Sequence, residues 1–487
     1  MDWIWQPRSG KIGISHVRNL MRKAEEEFRW CWGVLAKLRY DQSKVASTTD
    51  FIALQPRLAK AVFALEHCYH QLKKQDRLII EKKTVFRRDY VALQLRKTRA
   101  LRRLLNDCID VGKVLGDSFA WLFYQKEYKL LREHQKHQPI VRSAIGTGGM
   151  GEITYLENLP VINNYMVIYH GTTTFLRLGD ITMIDMRSFK VAAIGELKSH
   201  RPHPEHISIS TTLVGKKLRK NLMPSFRNTN PRANPGTQKI PLKAQQLDRF
   251  KRQIAALHEA FRRPNTRQFR AYGDLNVIWN TEKLSELAKI SNTTRFRCVK
   301  ADRELLLAGL KLRESTLLRT LLNGSGTKLA PKLEGTQENA KEIIAPTLPD
   351  NRLIIGRILY GGDERYELVA GMRPILWWPL SRQIVEALIF RRLIVLTLFN
   401  PAFLIDDLRK RGFVVDAQKG TSLAVAKPFR NASLKLSGFN YFLRLVQQYL
   451  LSEAAVIGMV NNSVSTLEAR RFPMPAHIDL AYEWEFQ

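Results

Sequence analysis

Between residues 14 and 137, apolar side chains recur every three or four positions: Val34, Leu35 and Leu38, then Leu58, Val62, Leu65 and Tyr69, then Val91, Leu95, Leu101, Leu104 and Leu105. This is the spacing of one buried helix face, and it predicts three or four long, coiled-coil-like helices. The period changes after Gly146-Thr147-Gly148-Gly149-Met150-Gly151, a run that reads as a hinge or a helix N-terminus. Residues 165–169, 178–184 and 191–197 are short runs of β-forming residues between turn residues, and they predict an antiparallel meander. A helical period returns at 244–261, where Leu247, Phe250, Ile254, Leu257 and Phe261 share a face.

Farther along, residues 275–279, 352–360 and 393–399 read as strands, and 304–322, 381–390 and 437–458 as helices. Asn400-Pro401 supplies an N-cap and a first-turn proline for a helix ending near Gly412. The class is therefore α+β or α/β, in four parts. These are a basic helical domain (1–140), a sheet-bearing core with a basic loop at 207–243 (141–290), a helical segment and linker (291–349), and a C-terminal α/β region (350–487).

Charge changes what this architecture is expected to meet. Among 487 residues, 78 Lys and Arg stand against 45 Asp and Glu, a formal charge of +33. With 45% hydrophobic residues the chain can still bury cores, so a disordered basic tail is excluded and a folded protein with a polyanionic partner is expected. The positive residues gather in the helices before residue 137 and in residues 207–247, which hold no Asp or Glu. That stretch reads as a mobile loop in which Lys216, Lys217, Arg219, Lys220 and Arg227, with Arg249 just beyond, meet nucleic acid. Cys31, Cys68, Cys108 and Cys298 lack zinc-ligand spacing. The first residues show no export pattern, and the apolar run 393–405 is too short to span a bilayer. A soluble, cytoplasmic protein without a membrane partner is expected, with self-association through the N-terminal helices as an option.

The candidate chemistry lies near residue 190. Strand alternation places Glu196 and Lys198 on one face, and a hairpin with the preceding strand brings Asp180 close to Glu196. Two carboxylates and an ammonium on one sheet edge suit Mg²⁺, or Mn²⁺, rather than zinc. Glu81 with Lys83 and Glu127 with Lys129 repeat the spacing, but in helical stretches, where residues two apart do not share a face.

Asp180, Glu196 and Lys198 in this context resemble the core motif of the PD-(D/E)xK phosphodiesterase superfamily, which includes many restriction-type nucleases. The resemblance covers roughly residues 145–260 and implies a restriction-endonuclease-like mixed-sheet core that hydrolyses phosphodiester bonds, in DNA more than in RNA. It further implies that Asp180 and Glu196 bind the metal and that Lys198 assists the attacking water. Glu152, ahead of Glu157, is the further acid on a preceding helix, and Gln246, four residues before Phe250, braces the site. No proline precedes Asp180, and the insertion before Gln246 is long, so the last core strand is either 275–279 or 352–360. The order of elements has a looser similarity to Shedu-type antiphage nucleases, which implies a role in defence. The alternative is a nuclease-like core without activity that serves nucleic-acid binding or assembly.

Three other features have plainer readings. His200, His203 and His206 with Glu205 form a cluster, but Pro202 and Pro204 exclude a helical metal motif. The glycine run lacks the Lys-Ser/Thr of a phosphate loop. Trp377-Trp378 reads as core or interface packing, ahead of a platform for stacking bases.

Overall fold

The structure, a computed structural model, describes residues 12–41, 48–125, 147–203, 206–215, 280–323, 354–359, 374–417, 423–429, 432–437, 450–468 and 477–479. Within these, positions 159, 163, 290–295, 304 and 313–315 are excepted; residues 127, 130, 131, 133, 134, 443, 446 and 447 are also described. The chain divides into two compact units, the first built from residues 1–266 and the second mostly from 267–364 and 377–487.

The first unit opens with helices α1 (Ile14–Tyr40), α2 (Thr48–Glu81) and α3 (Arg88–Tyr124), which pack on one another. In α1 the buried residues Val17, Leu20, Met21, Ala24, Phe28, Cys31 and Leu35 follow the helical repeat that the sequence predicts. α2 and α3 form a hairpin whose outer part is thinly packed. From residue 73 to residue 100 only Asp76 and Thr98 are buried, and they hydrogen-bond to each other across the helices. Leu78, Val85, Phe86, Tyr90 and Leu93 are exposed there.

α4 (Thr147–Asn158) begins inside the glycine run, so that run is a helix N-terminus. It leads into β1 (Val161–Ile162), β2 (Tyr165–Tyr169), β3 (Ile181–Asp185), β4 (Lys190–His203) and β5 (His206–Gly215), which form a five-stranded sheet in sequence order. The predicted meander is present as β2, β3 and β4, but every pairing in this sheet is antiparallel among its described residues, where a mixed sheet is expected. The expected loop at 207–243 is also corrected at its start. Residues 206–215 are a strand paired with β4 from Ala193↔Gly215 to His203↔His206, and β-branched Ile207, Ile209, Thr211, Thr212 and Val214 account for it.

The helices expected to stand as a domain of their own share a core with this sheet. Ala59 and Phe63 of α2 join Ile153 and Leu156 of α4 against Val167, Tyr169, Ile181, Met183, Ala193 and Leu197, the alternate residues of three strands. On the opposite face, Thr182 of β3 bonds to Tyr124 at the end of α3.

In the second unit, β6 (Phe296–Lys300), β7 (Leu305–Lys311), β9 (Leu393–Phe399) and β8 (Ile354–Leu359) form an antiparallel sheet in that order. α5 (Glu282–Ala288), α6 (Leu317–Asn323), α7 (Arg382–Ile389) and α8 (Ala402–Lys410) accompany it. The helix expected over 304–322 is instead β7 followed by α6. The run Leu305-Leu306-Leu307-Ala308-Gly309-Leu310 is buried throughout, and a short all-apolar run fits a two-sided strand as well as a helix. Pro401 occupies the cap position of α8, while Asn400 accepts the Ala402 N–H through its side chain.

A second sheet contains β10 (Val414–Ala417), β11 (Leu423–Phe429), β12 (Ala432–Ser437) and β13 (His477–Asp479), the last pair parallel. The helix expected at 437–458 is interrupted: Leu443, Val446 and Gln447 are helical, Leu450 takes a left-handed φ of 58°, and α9 spans Glu453–Glu468. Because 354–359 pairs with β9, it is not the last strand of the site's sheet. Residues 275–279 lie outside the described residues. Trp378 is buried, and all four cysteines are free. No helix among the described residues is long and apolar enough to cross a membrane.

Candidate active site

The β3–β4 hairpin sets the geometry of the site. Ile181 pairs with Gly195, and continuing that register places Asp180 opposite Glu196, with Lys198 on the same strand face. The Asp180 N–H donates to the Gly195 carbonyl at 2.8 Å, and its Oδ2 accepts the Leu197 N–H at 2.7 Å. Lys198 Nζ donates to Glu196 Oε1 at 2.6 Å, with the lysine side chain 43% exposed and the glutamate 7%. Glu196 Oε2 is buried and has no hydrogen-bond partner. A buried carboxylate oxygen without a donor is a costly arrangement that a cation or a donor would relieve.

Glu152 reaches the same locality from α4. Its Oε2 accepts the Tyr169 hydroxyl proton at 2.5 Å. Burial pushes the Glu152 carboxyl up to about 8, the charges of Asp180 and Glu196 push the same way, and the Tyr169 hydrogen bond and Lys198 oppose them. Three acids and one lysine thus share one electrostatic environment, and Glu152 holds its proton near neutrality.

A buried polar chain that nothing in the residue spacing announces holds Asp180 in place. His170 donates its backbone N–H to the Asp180 carbonyl and its Nδ1–H to the Gly179 carbonyl, both at 2.9 Å. Nδ1 being the donor leaves Nε2 to accept from Thr182 Oγ1 at 2.7 Å, and burial holds this imidazole down at about 4, hence neutral. Thr182 in turn accepts from Tyr124 Oη at 2.6 Å. His134 Nδ1 accepts the Arg177 and Leu178 N–H groups, which places its proton on Nε2, 3.3 Å from Tyr124 Oη. The chain of donors therefore runs in one direction, from His134 through Tyr124 and Thr182 to His170 and the Gly179-Asp180 turn. Tyr169, His170, Thr182, Tyr124 and His134 were not among the residues expected from the sequence.

Of the expected site residues, Asp180, Glu196, Lys198 and Glu152 come together. Gln246, Lys216, Lys217, Arg219, Lys220, Arg227 and Arg249 lie outside the described residues. His203 of β4 and His206 of β5 are register partners at the far end of the hairpin. Among the described residues, no three His, Cys, Asp or Glu side chains form a group that could hold a metal ion unaided. The donor set that does fit is Asp180 with Glu196, two hard oxygen ligands of the kind Mg²⁺ takes when water and substrate phosphate complete its sphere. No family model, curated protein or solved structure matches this chain.

Proposed function

We propose that the protein is a metal-dependent nuclease of the PD-(D/E)xK type, hydrolysing phosphodiester bonds of nucleic acid, DNA foremost, at the β3–β4 hairpin. The observation that carries this reading is the buried, unpartnered Glu196 oxygen, which lies beside the Lys198 ammonium on the strand that pairs with the one following Asp180. Asp180 and Glu196 are the residues that would hold Mg²⁺ or Mn²⁺, which supplies polarisation of a phosphate oxygen and a more acidic bound water. Lys198 sits at the solvent-facing side of the pair, where its charge offsets the charge growing on phosphorus. Glu152, protonated near neutrality, adds no third negative charge against an incoming phosphate. His170 and Gly179 keep the Asp180 carboxylate where the register puts it.

The test is cleavage of plasmid, linear duplex, single-stranded DNA and RNA with Mg²⁺ or Mn²⁺, by the wild type and by Lys198→Ala. Loss of about 10²–10³-fold in rate is expected for the variant, the range for removing one group that stabilises transition-state charge. Binding should be retained, and cleavage should cease with chelator. Absence of cutting with either metal, or equal cutting by Lys198→Ala, rejects the reading. Binding without cutting would leave a non-catalytic nucleic-acid protein.

A further inference from the structure

Outside the active site, the α2–α3 hairpin combines a cavity, fixed arginines and exposed arginines. A cleft of about 410 Å³ opens on it, lined by Tyr69, Arg99, Arg102, Arg103, Asn106 and Asp107. Arg102 is built into the wall: its two terminal nitrogens donate to Asp76 Oδ2 at 2.5 Å and Tyr69 Oη at 3.0 Å, and its guanidinium lies 4.9 Å from the Tyr69 ring centroid. The adjoining Asp76–Thr98 hydrogen bond joins the two helices at this level, so the wall is tied to both of them.

Arg99 and Arg103, one helical turn apart, are exposed and make no hydrogen bond or ion pair among the described residues. Side chains at this spacing are about 5–6 Å apart at Cβ and lie on one face. Two exposed guanidiniums beside a third that is fixed form a receptor for anionic oxygens, in excess of the single carboxylate of Asp107 in the lining.

The surroundings decide which anion. Residues 71–107 contain twelve Lys and Arg but only four acids, Asp76, Glu81, Asp89 and Asp107, the last of which lines the cleft. The outer hairpin, from residue 73 to residue 100, is almost entirely solvent-accessible. The charge therefore extends from the cleft outward along both helices of the arm, which fits a polymer of phosphates better than a single phosphate group.

We propose that the Tyr69–Arg99–Arg102–Arg103 cleft seats backbone phosphates of nucleic acid, making the α2–α3 hairpin the arm that holds the strand while the β3–β4 hairpin cuts it. This rests on the reading of the molecule as a nucleic-acid enzyme, and it concerns holding rather than cutting.

The experiment uses the full chain carrying Lys198→Ala, so that substrate survives. Binding of a fluorescent 30-base-pair DNA duplex and of 30-nucleotide DNA and RNA strands is measured from 50 to 300 mM KCl. Arg99→Glu/Arg103→Glu is compared with Lys410→Glu/Arg411→Glu, an equal charge change at exposed positions at the end of α8. The arm variant is expected to bind at least about tenfold more weakly at 100 mM salt. On duplex, its slope of log affinity against log salt should be shallower by about two, near one unit per lost phosphate contact. The α8 variant should keep the wild-type slope. Circular dichroism establishes that both variants fold, as exposed positions lead one to expect.

Equal weakening by the two variants would reduce the effect to net charge and overturn the proposal. So would absence of binding to any of the three strands, or binding through the arm to vesicles containing anionic lipid with none to nucleic acid. Arm-dependent binding without metal-dependent cutting by the parent protein would sink the nuclease reading and leave the arm. Lys198-dependent cutting with arm-independent binding would do the reverse.

Discussion

Gly179 fixes where the Asp180 carboxylate stands. Its φ is +74°, in the left-handed region that costs other residues roughly 1–2 kcal/mol, and an added Cβ would stand 2.6 Å from the Gly195 carbonyl oxygen. Gly412 has a similar φ of +82° but nothing within 4 Å of its Cβ position. Gly412→Ala should therefore lose only the backbone term, whereas Gly179→Ala should lose that and about 1–3 kcal/mol more for the forced contact. Urea unfolding of the two variants measures the difference, and equal losses would mean that β4 yields freely around Gly195. Asp180, Glu196 and Lys198 were legible in the sequence because a hairpin between two short β-runs brings them together by alternation alone. The clamp behind Asp180 was not: Tyr124 and Thr182 are 58 positions apart and His134 and Leu178 are 44 apart, so only the packed fold brings them together.

At the level of elements, α3 shows how a helix is seated on a loop. A Cβ at Gly116 would stand 2.0 Å from the Thr172 carbonyl oxygen, so glycine here permits a close approach. The next residue, Asp117, accepts the Thr174 N–H and hydroxyl at 2.7 Å each. Burial pushes the Asp117 carboxyl up to about 7, more than the Thr174 hydrogen bonds and Lys113 pull it down. The folded state therefore binds more protons than the unfolded chain between about pH 4 and 7, and the stability from this group is lost as pH rises through 7. Between pH 5 and pH 8 the wild type should lose about 3 kcal/mol relative to Asp117→Asn, whose side chain cannot ionise. Urea unfolding of both proteins at the two pH values checks this, and a constant difference would mean that Lys113 and Thr174 keep the carboxylate ionised. α1 to α3 and β2 to β4 were legible from period alone, whereas α4 was expected only from the glycine run and from the family resemblance. β5 is hidden because a stretch without acids and rich in Lys, Arg, Pro and Asn has the composition of a loop, although its β-branched residues carry a strand signal. β7 was hidden because an unbroken apolar run has no period.

For the whole molecule, the charge of +33 is a destabilising self-interaction as well as an attraction for polyanions. The positive residues of the α2–α3 arm lie close together with few acids between them, and at low ionic strength their mutual repulsion reaches across the hairpin. The Debye length falls from about 30 Å at 0.01 M salt to about 10 Å at 0.1 M. Raising KCl from 10 to 300 mM should therefore raise the thermal midpoint of the free protein. A bound polyanion should do the same at low salt by a different route. At a hundred times its dissociation constant, a ligand that binds only the folded state adds about 2.7 kcal/mol. The two effects must then oppose each other in a mixture: salt stabilises the free chain but dissociates the complex, so the increment from added duplex DNA should shrink as KCl increases. Scanning calorimetry with and without a 30-base-pair duplex, across the same salt series, measures both slopes. A midpoint that falls with salt in the free protein would show that its surface charges are locally paired, and the excess of Lys and Arg would then cease to be an argument for any polyanionic partner.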